Sequence, residues 1–128
     1  MIRMAYLQYN PNPAGNLVGD CVIRAITVGT GKTWDEVFEE LSSIAHELKD
    51  MPSSNYVWAT YLKRLGFHRY IIPDTCPDCY TVRDFAYDHP YGTYILGTGT
   101  HAVTVHDGDW CDAWNSGNEV PIYYFERS

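Results

Sequence analysis

Apolar positions in the first half of the chain recur at helical spacing. Trp34, Val37, Phe38, Leu41, Ile44, Ala45 and Leu48 fall on one helix face, which reads as core. Thr33 precedes that stripe and Glu36 follows Thr33 by three residues, a capping box that marks the helix start. A shorter apolar run begins at Cys21 and predicts a helix to about residue 29, before Gly29, Gly31 and Lys32 break the chain. A third helix is predicted from about Asn55 to Leu65, with Val57, Trp58, Tyr61, Leu62 and Leu65 inward and Gly66 as its stop. Upstream, residues 4–9 read as a short extended segment. Residues 10–19 hold two Pro, two Gly and three Asn and read as a loop.

The second half changes period. Phe67 to Ile72 reads as a strand, Pro73 to Cys79 as a loop and Thr81 to Asp88 as a short Thr-capped helix. Tyr91 to Leu96 reads as a strand ended by Gly97-Thr98-Gly99-Thr100. His101 to His106 alternates apolar and polar, Asp107-Gly108 signals a type I′ turn, and Asp109 to Trp114 returns as its partner. Val120 to Phe125 is the last predicted strand. Helices first and strands second predict an α+β fold, one domain over 1–128, with N-terminal helices on a C-terminal antiparallel sheet.

Charge and composition narrow the function classes. The formal net charge of −7 argues against a nucleic-acid surface, which needs clustered Lys and Arg. No run of 18 apolar residues occurs, so no membrane span is expected. Met1-Ile2-Arg3-Met4-Ala5-Tyr6 lacks the apolar stretch of a signal peptide, which leads to an expected cytoplasmic location. In that compartment the four cysteines are expected to be thiols, catalytic or metal-bound rather than disulfides. The 11 Tyr and 4 Trp predict packing by large, partly polar rings.

Candidate chemistry starts at Gly19-Asp20-Cys21. A thiol at a helix N-terminus sits beside unpaired backbone N–H groups and the positive end of the helix dipole, which favour thiolate and a developing oxyanion. Asp20 opposes thiolate formation unless Arg24, four residues on, pairs with it. The hairpin supplies a second piece. A two-residue turn pairs His106 with Asp109, Val105 with Trp110, Val103 with Asp112 and His101 with Trp114. His101 and Asp112 then share a face as diagonal neighbours. A carboxylate there fixes the imidazole tautomer and leaves the other ring nitrogen for a nucleophile. Asn115 falls on the opposite face and is the alternative third member if a bulge shifts the register. His106 beside the turn and His46 off the stripe read as exposed.

Together these pieces resemble a minimal papain-like cysteine peptidase. The likeness rests on Gly19-Asp20-Cys21, His101-Ala102-Val103-Thr104-Val105 and Asp109-Trp110-Cys111-Asp112-Ala113-Trp114. The chain also resembles small papain-like proteins of bacteriophages and gut bacteria, a similarity that includes Tyr9-Asn10-Pro11, residues 51–55, residues 76–82 and residues 119–124. The resemblance implies Cys21 as nucleophile, His101 as general base and acid, and Asp112 as orienting group. It implies a peptide or protein substrate cleaved at an amide bond, no cofactor, and the host cytoplasm if the chain is phage-encoded. Papain-like enzymes carry a Gln shortly before the cysteine as oxyanion donor. Here residues 15–20 hold no Gln, and the amides of Gln8, Asn10 and Asn16 are the substitutes at hand.

Deamidation, transglutaminase-type acyl transfer and a non-enzymatic interaction protein are the alternatives within that fold. A third class is a small zinc-stabilised module. Cys76-Pro77-Asp78-Cys79 supplies half a zinc site, with Cys111, His68 and His89 as candidates for the rest. The same pair read as loop thiols is the simpler expectation, and a disulfide or redox pair is the remaining one. The segment Met51-Pro52-Ser53-Ser54-Asn55 reads as a loop and helix cap.

Overall fold

The computed structural model describes residues 5–16 and 18–127. Its elements are β1 (Ala5–Gln8), α1 (Cys21–Thr30), α2 (Trp34–Leu48), α3 (Asn55–Arg64), β2 (Phe67–Ile71), α4 (Val82–Asp88), β3 (Thr93–Gly97), β4 (Ala102–His106), β5 (Asp109–Asp112) and β6 (Tyr123–Arg127). The fold is α+β. The strands form one sheet in the order β1-β5-β4-β3-β6-β2.

The sheet is mixed rather than wholly antiparallel. β1 lies parallel to β5, pairing Ala5 with Asp109 through Gln8 with Asp112. The other pairings are antiparallel. The last strand begins at Tyr123, later than its apolar run, because Pro121 has no N–H to give a ladder.

Both faces of the sheet are covered. On one, Val22, Ala25 and Ile26 of α1, Val37 and Leu41 of α2, and Val57, Trp58 and Leu62 of α3 pack with Ile95, Ala102, Tyr123 and Phe125. On the other, Val82, Phe85 and Ala86 of α4 pack with Leu96, Val103, Val105 and Trp110. The strand alternation of β3 and β4 therefore feeds two cores, Ile95 to one and Leu96 to the other.

Local signals act as their chemistry requires. Thr33 and Glu36 form the capping box, and Thr81 with Asp84 forms a second one at α4. Asp107 and Gly108 take φ of 48° and 82°, the positive values that a type I′ turn needs. α1 runs through Gly29 to Thr30. A Cβ on Gly29 would lie 2.8 Å from Ile95 Cδ1, so the glycine lets α1 close onto β3. Thr104 Oγ1 donates to the Ala25 carbonyl at 2.5 Å and ties α1 to β4. α1 is thus fixed over the strand that follows His101.

The pair Cys76–Cys79 is a disulfide, which corrects the expectation of thiols in this loop. Its sulfurs are thereby used, so they offer no zinc ligands. His89, a candidate partner, stacks on Phe85 with centroids 3.8 Å apart. Among the described residues no group of three or more His, Cys, Asp or Glu is placed to hold a metal. No helix among them is long and apolar enough to cross a membrane.

Candidate active site

Cys21 is the first residue of α1 and is half-buried. Asp20 stands at the N-cap but makes no side-chain cap bond among the described residues. Its carboxylate is turned elsewhere, accepting from Arg24 Nη1 at 2.6 Å and from Trp34 Nε1 at 2.8 Å. The first-turn N–H groups of α1 therefore carry no side-chain cap from Asp20, and the positive end of the helix lies at the thiol.

His101 precedes β4, and Asp112 ends β5. His101 Nε2 donates to Asp112 Oδ2 at 2.6 Å. The Cys21 thiol lies near the His101 ring and the Ala102 backbone N–H, both of which favour its thiolate. With Nε2 engaged by Asp112, Nδ1 is the ring nitrogen left for sulfur. The structure thus brings Cys21, His101 and Asp112 together in the order thiol, imidazole, carboxylate.

The hairpin register is the one that the two-residue turn predicts, with Val105 opposite Trp110 and His106 opposite Asp109. The assignment of faces does not extend to its end. Val103, Val105 and Trp110 face α4, whereas Asp112 meets Arg24 of α1 on the opposite side of the sheet. His101 precedes β4, and Asp112 lies beyond the last β4–β5 pair, Thr104 with Cys111, while still pairing with Gln8 of β1.

Asp112 is almost wholly buried and fully engaged. Oδ2 also accepts from Ser116 Oγ at 2.6 Å. Oδ1 accepts from Arg24 Nε at 3.0 Å and from the Ala113 N–H at 2.8 Å. Burial pushes its carboxyl up, but the His101 and Ser116 bonds and the His101 and Arg24 charges outweigh this and hold it below its ordinary value. Burial likewise lowers His101, and the bonds and charges of Asp112 and Cys21 reverse this and raise it to about 9. For Cys21, burial raises the thiol, while the His101 bond, the Ala102 N–H and the His101 and Arg24 charges bring it net below its ordinary value. These directions favour a thiolate–imidazolium pair.

A cavity of about 690 Å³ opens beside Cys21 and His101. Trp34, Phe38 and Leu41 of α2, Val22 and Ile23 of α1, and Trp58 of α3 give it apolar walls. Pro52, Ser53 and Asn55 form one rim, and Gly99 and Thr100 another. Trp34 and Phe38 stack at 5.2 Å with Phe38 46% exposed, so both line the cavity, while Trp34 also packs against the core. Trp114 lies against His101, centroids 4.7 Å apart.

Other candidates lie elsewhere. Asn115 Oδ1 accepts from Trp110 Nε1 at 3.0 Å and from the Gly117 N–H at 3.1 Å, which places it in the turn after β5 and not at His101. Gln8 is exposed at the end of β1. Asn10 is occupied in its own loop, donating to the Asn16 carbonyl at 3.0 Å. None of Gln8, Asn10 and Asn16 is among the residues lining the cavity. His106 is exposed and paired with Thr93 Oγ1 at 2.7 Å. Sequence reasoning missed Ser116 and the second partner of Arg24. The one cue was a small polar residue four positions after the acid. Comparison of the chain with family models, with curated proteins and with solved structures found no match.

Proposed function

We propose that the chain is a papain-like, thiol-dependent hydrolase acting on an amide bond of a peptide or protein. The observation that carries this reading is the contiguous Cys21–His101–Asp112 arrangement at a helix N-terminus, beside an apolar-walled cavity. Cys21 thiolate attacks the amide carbonyl carbon, and its electron pair moves onto the oxygen. Backbone N–H groups of the first turn of α1 face that developing charge. The His101 imidazolium gives its proton to the departing amine as the C–N bond breaks, leaving a thioester. His101 then takes a proton from water, hydroxide adds to the thioester, and the acid leaves with return of the thiolate. Asp112 holds the ring and its charge throughout. If an amine replaces water, the same steps give acyl transfer. If the amide is a side-chain one, they give deamidation.

The groove suits a segment with apolar side chains, and the net charge of −7 disfavours a nucleic-acid substrate. A cytoplasmic site of action, in a host cell if the chain is phage-encoded, belongs to this proposal. A second reading is a binding protein that keeps the fold. The observation in its favour is that no side chain among Gln8, Asn10 and Asn16 reaches the cavity as an oxyanion donor.

Two measurements test the proposal. Iodoacetamide alkylation resolved by cysteine should modify Cys21 appreciably at about pH 6, where an unperturbed thiol is almost wholly protonated. Incubation with an unfolded protein should yield new termini or released ammonia, both lost in Cys21→Ala. A reactive Cys21 without product would favour the binding protein, and an unreactive Cys21 would remove the hydrolase.

A further inference from the structure

Arg24 lies one turn past Cys21 on α1, is 5% exposed, and is held between two carboxylates. Nη1 reaches Asp20 Oδ1 at 2.6 Å, while Nε and Nη2 each reach Asp112 Oδ1 at 3.0 Å. Trp34 Nε1, on the cavity wall, fixes the other oxygen of Asp20. A buried polar chain thus runs from Trp34 through Asp20, Arg24 and Asp112 to His101 and Cys21.

Asp20 alone would neutralise Arg24 within its own helix. The fork instead spans to a strand 88 residues away and takes the same carboxylate that holds the imidazole. Oδ1 of Asp112 then has Arg24 and the Ala113 N–H, which leaves Oδ2 for Ser116 and His101. Rotation of the carboxylate would break all of these bonds. A planar guanidinium makes such a two-sided clamp, and a lysine ammonium does not. Stability is a weak reason for burying three charges, since apolar replacements of such groups are often neutral or stabilising.

We infer that Arg24 is a positioning residue for the reacting pair, clamping Asp112 so that one oxygen alone serves His101 and setting a cation one turn from the thiol. The inference rests on the hydrolase reading above. The charged groups around the sulfur are His101 from the start of β4, Arg24 on α1 and Asp112 of β5 behind the ring. Asp20, next to Cys21, has its carboxylate turned to Arg24 and Trp34.

The experiment follows the pH midpoint of Cys21 alkylation by iodoacetamide, read cysteine by cysteine by mass spectrometry, with Tm measured in parallel. The variants are Arg24→Lys, Asp20→Asn and the double change Arg24→Met with Asp20→Asn, which removes one charge of each sign. The double variant should raise the midpoint by at least about one pH unit, or roughly tenfold less thiolate at pH 6. Arg24→Lys should raise it by less, and Asp20→Asn alone should not raise it. A folded double variant with an unchanged midpoint and only a lower Tm would make Arg24 a structural ion pair and overturn the inference. So would a rise in Asp20→Asn equal to that of the double variant, or the failure of both Arg24 variants to fold. A wild-type midpoint near the unperturbed value of about 8.5 would instead sink the hydrolase reading itself.

Discussion

Replacing Asp112 with Asn tests the electrostatics of the site most directly. The change keeps the shape and removes one charge. His101 stands at about 9 against an ordinary 6.5, a net rise of about 2.5. Burial works against that rise, so the upward pull is larger than the net. Asp112 and Cys21 each supply a hydrogen bond and a charge that pull His101 upward. Loss of the carboxylate removes both its hydrogen bond and its charge, and should lower His101 by at least about one pH unit. The asparagine amide also cannot accept at both positions, so either Ser116 and His101 or Arg24 and Ala113 lose an acceptor. The assay is NMR titration of the His101 ring, distinguished from His46, His68, His89 and His106 by its absence in His101→Gln. A midpoint that moves by under half a pH unit in folded Asp112→Asn would refute the reasoning. It would mean that burial and Cys21, rather than the carboxylate, set the imidazole.

Three further outcomes are expected. Asp112 is held below its ordinary carboxyl value, so it contributes stability that is present above about pH 3.8 and lost as pH falls through the folded value. Ser116→Ala removes one of its donors and should move acid unfolding, followed by circular dichroism, to higher pH. Gly97→Ala places a Cβ 2.4 Å from the Tyr123 ring, which Trp58 and Phe125 hold from two sides. It should destabilise the fold by about 1–3 kcal/mol in urea unfolding, and a neutral result would show that the ring can move. Exhaustive alkylation of unfolded protein without reductant should label Cys21 and Cys111, with Cys76 and Cys79 added only after reduction. Labelling of all four before reduction would remove the disulfide.

Short-range chemistry was the legible part of this sequence. Thr33 with Glu36 and Asp107-Gly108 each carry their own geometry within four residues, and both act as their residue types dictate. His101 and Asp112 were legible in part, because the tight turn brings the two strand ends together, whereas the faces their side chains take were not. Partners chosen by the tertiary fold were not. Arg24 shows its pairing with Asp20 at helical spacing, but nothing local points to Asp112. Trp34 and Phe38 sit on the stripe of α2 and look like core, and only the placement of α1 and α3 leaves them lining a cavity. β1 is four residues long and carries no cue that its neighbour runs parallel. The disulfide was weighed against reduction by compartment, a property that the residues between Cys76 and Cys79 do not encode.

The division of the site between α1 and the β4–β5 hairpin has a consequence for synthesis. The thiol is made 80 residues before His101 and 91 before Asp112, from positions 21, 101 and 112. At about 5–20 residues per second, several seconds of translation separate thiol from imidazole. Throughout that interval Cys21 lacks the imidazole and keeps the low reactivity of an ordinary thiol. Fragments ending before the hairpin are inert for the same reason. Under the proposed hydrolase reading, a nascent chain with this layout gains its chemistry only as the sheet closes and is not exposed to that activity while still unfolded.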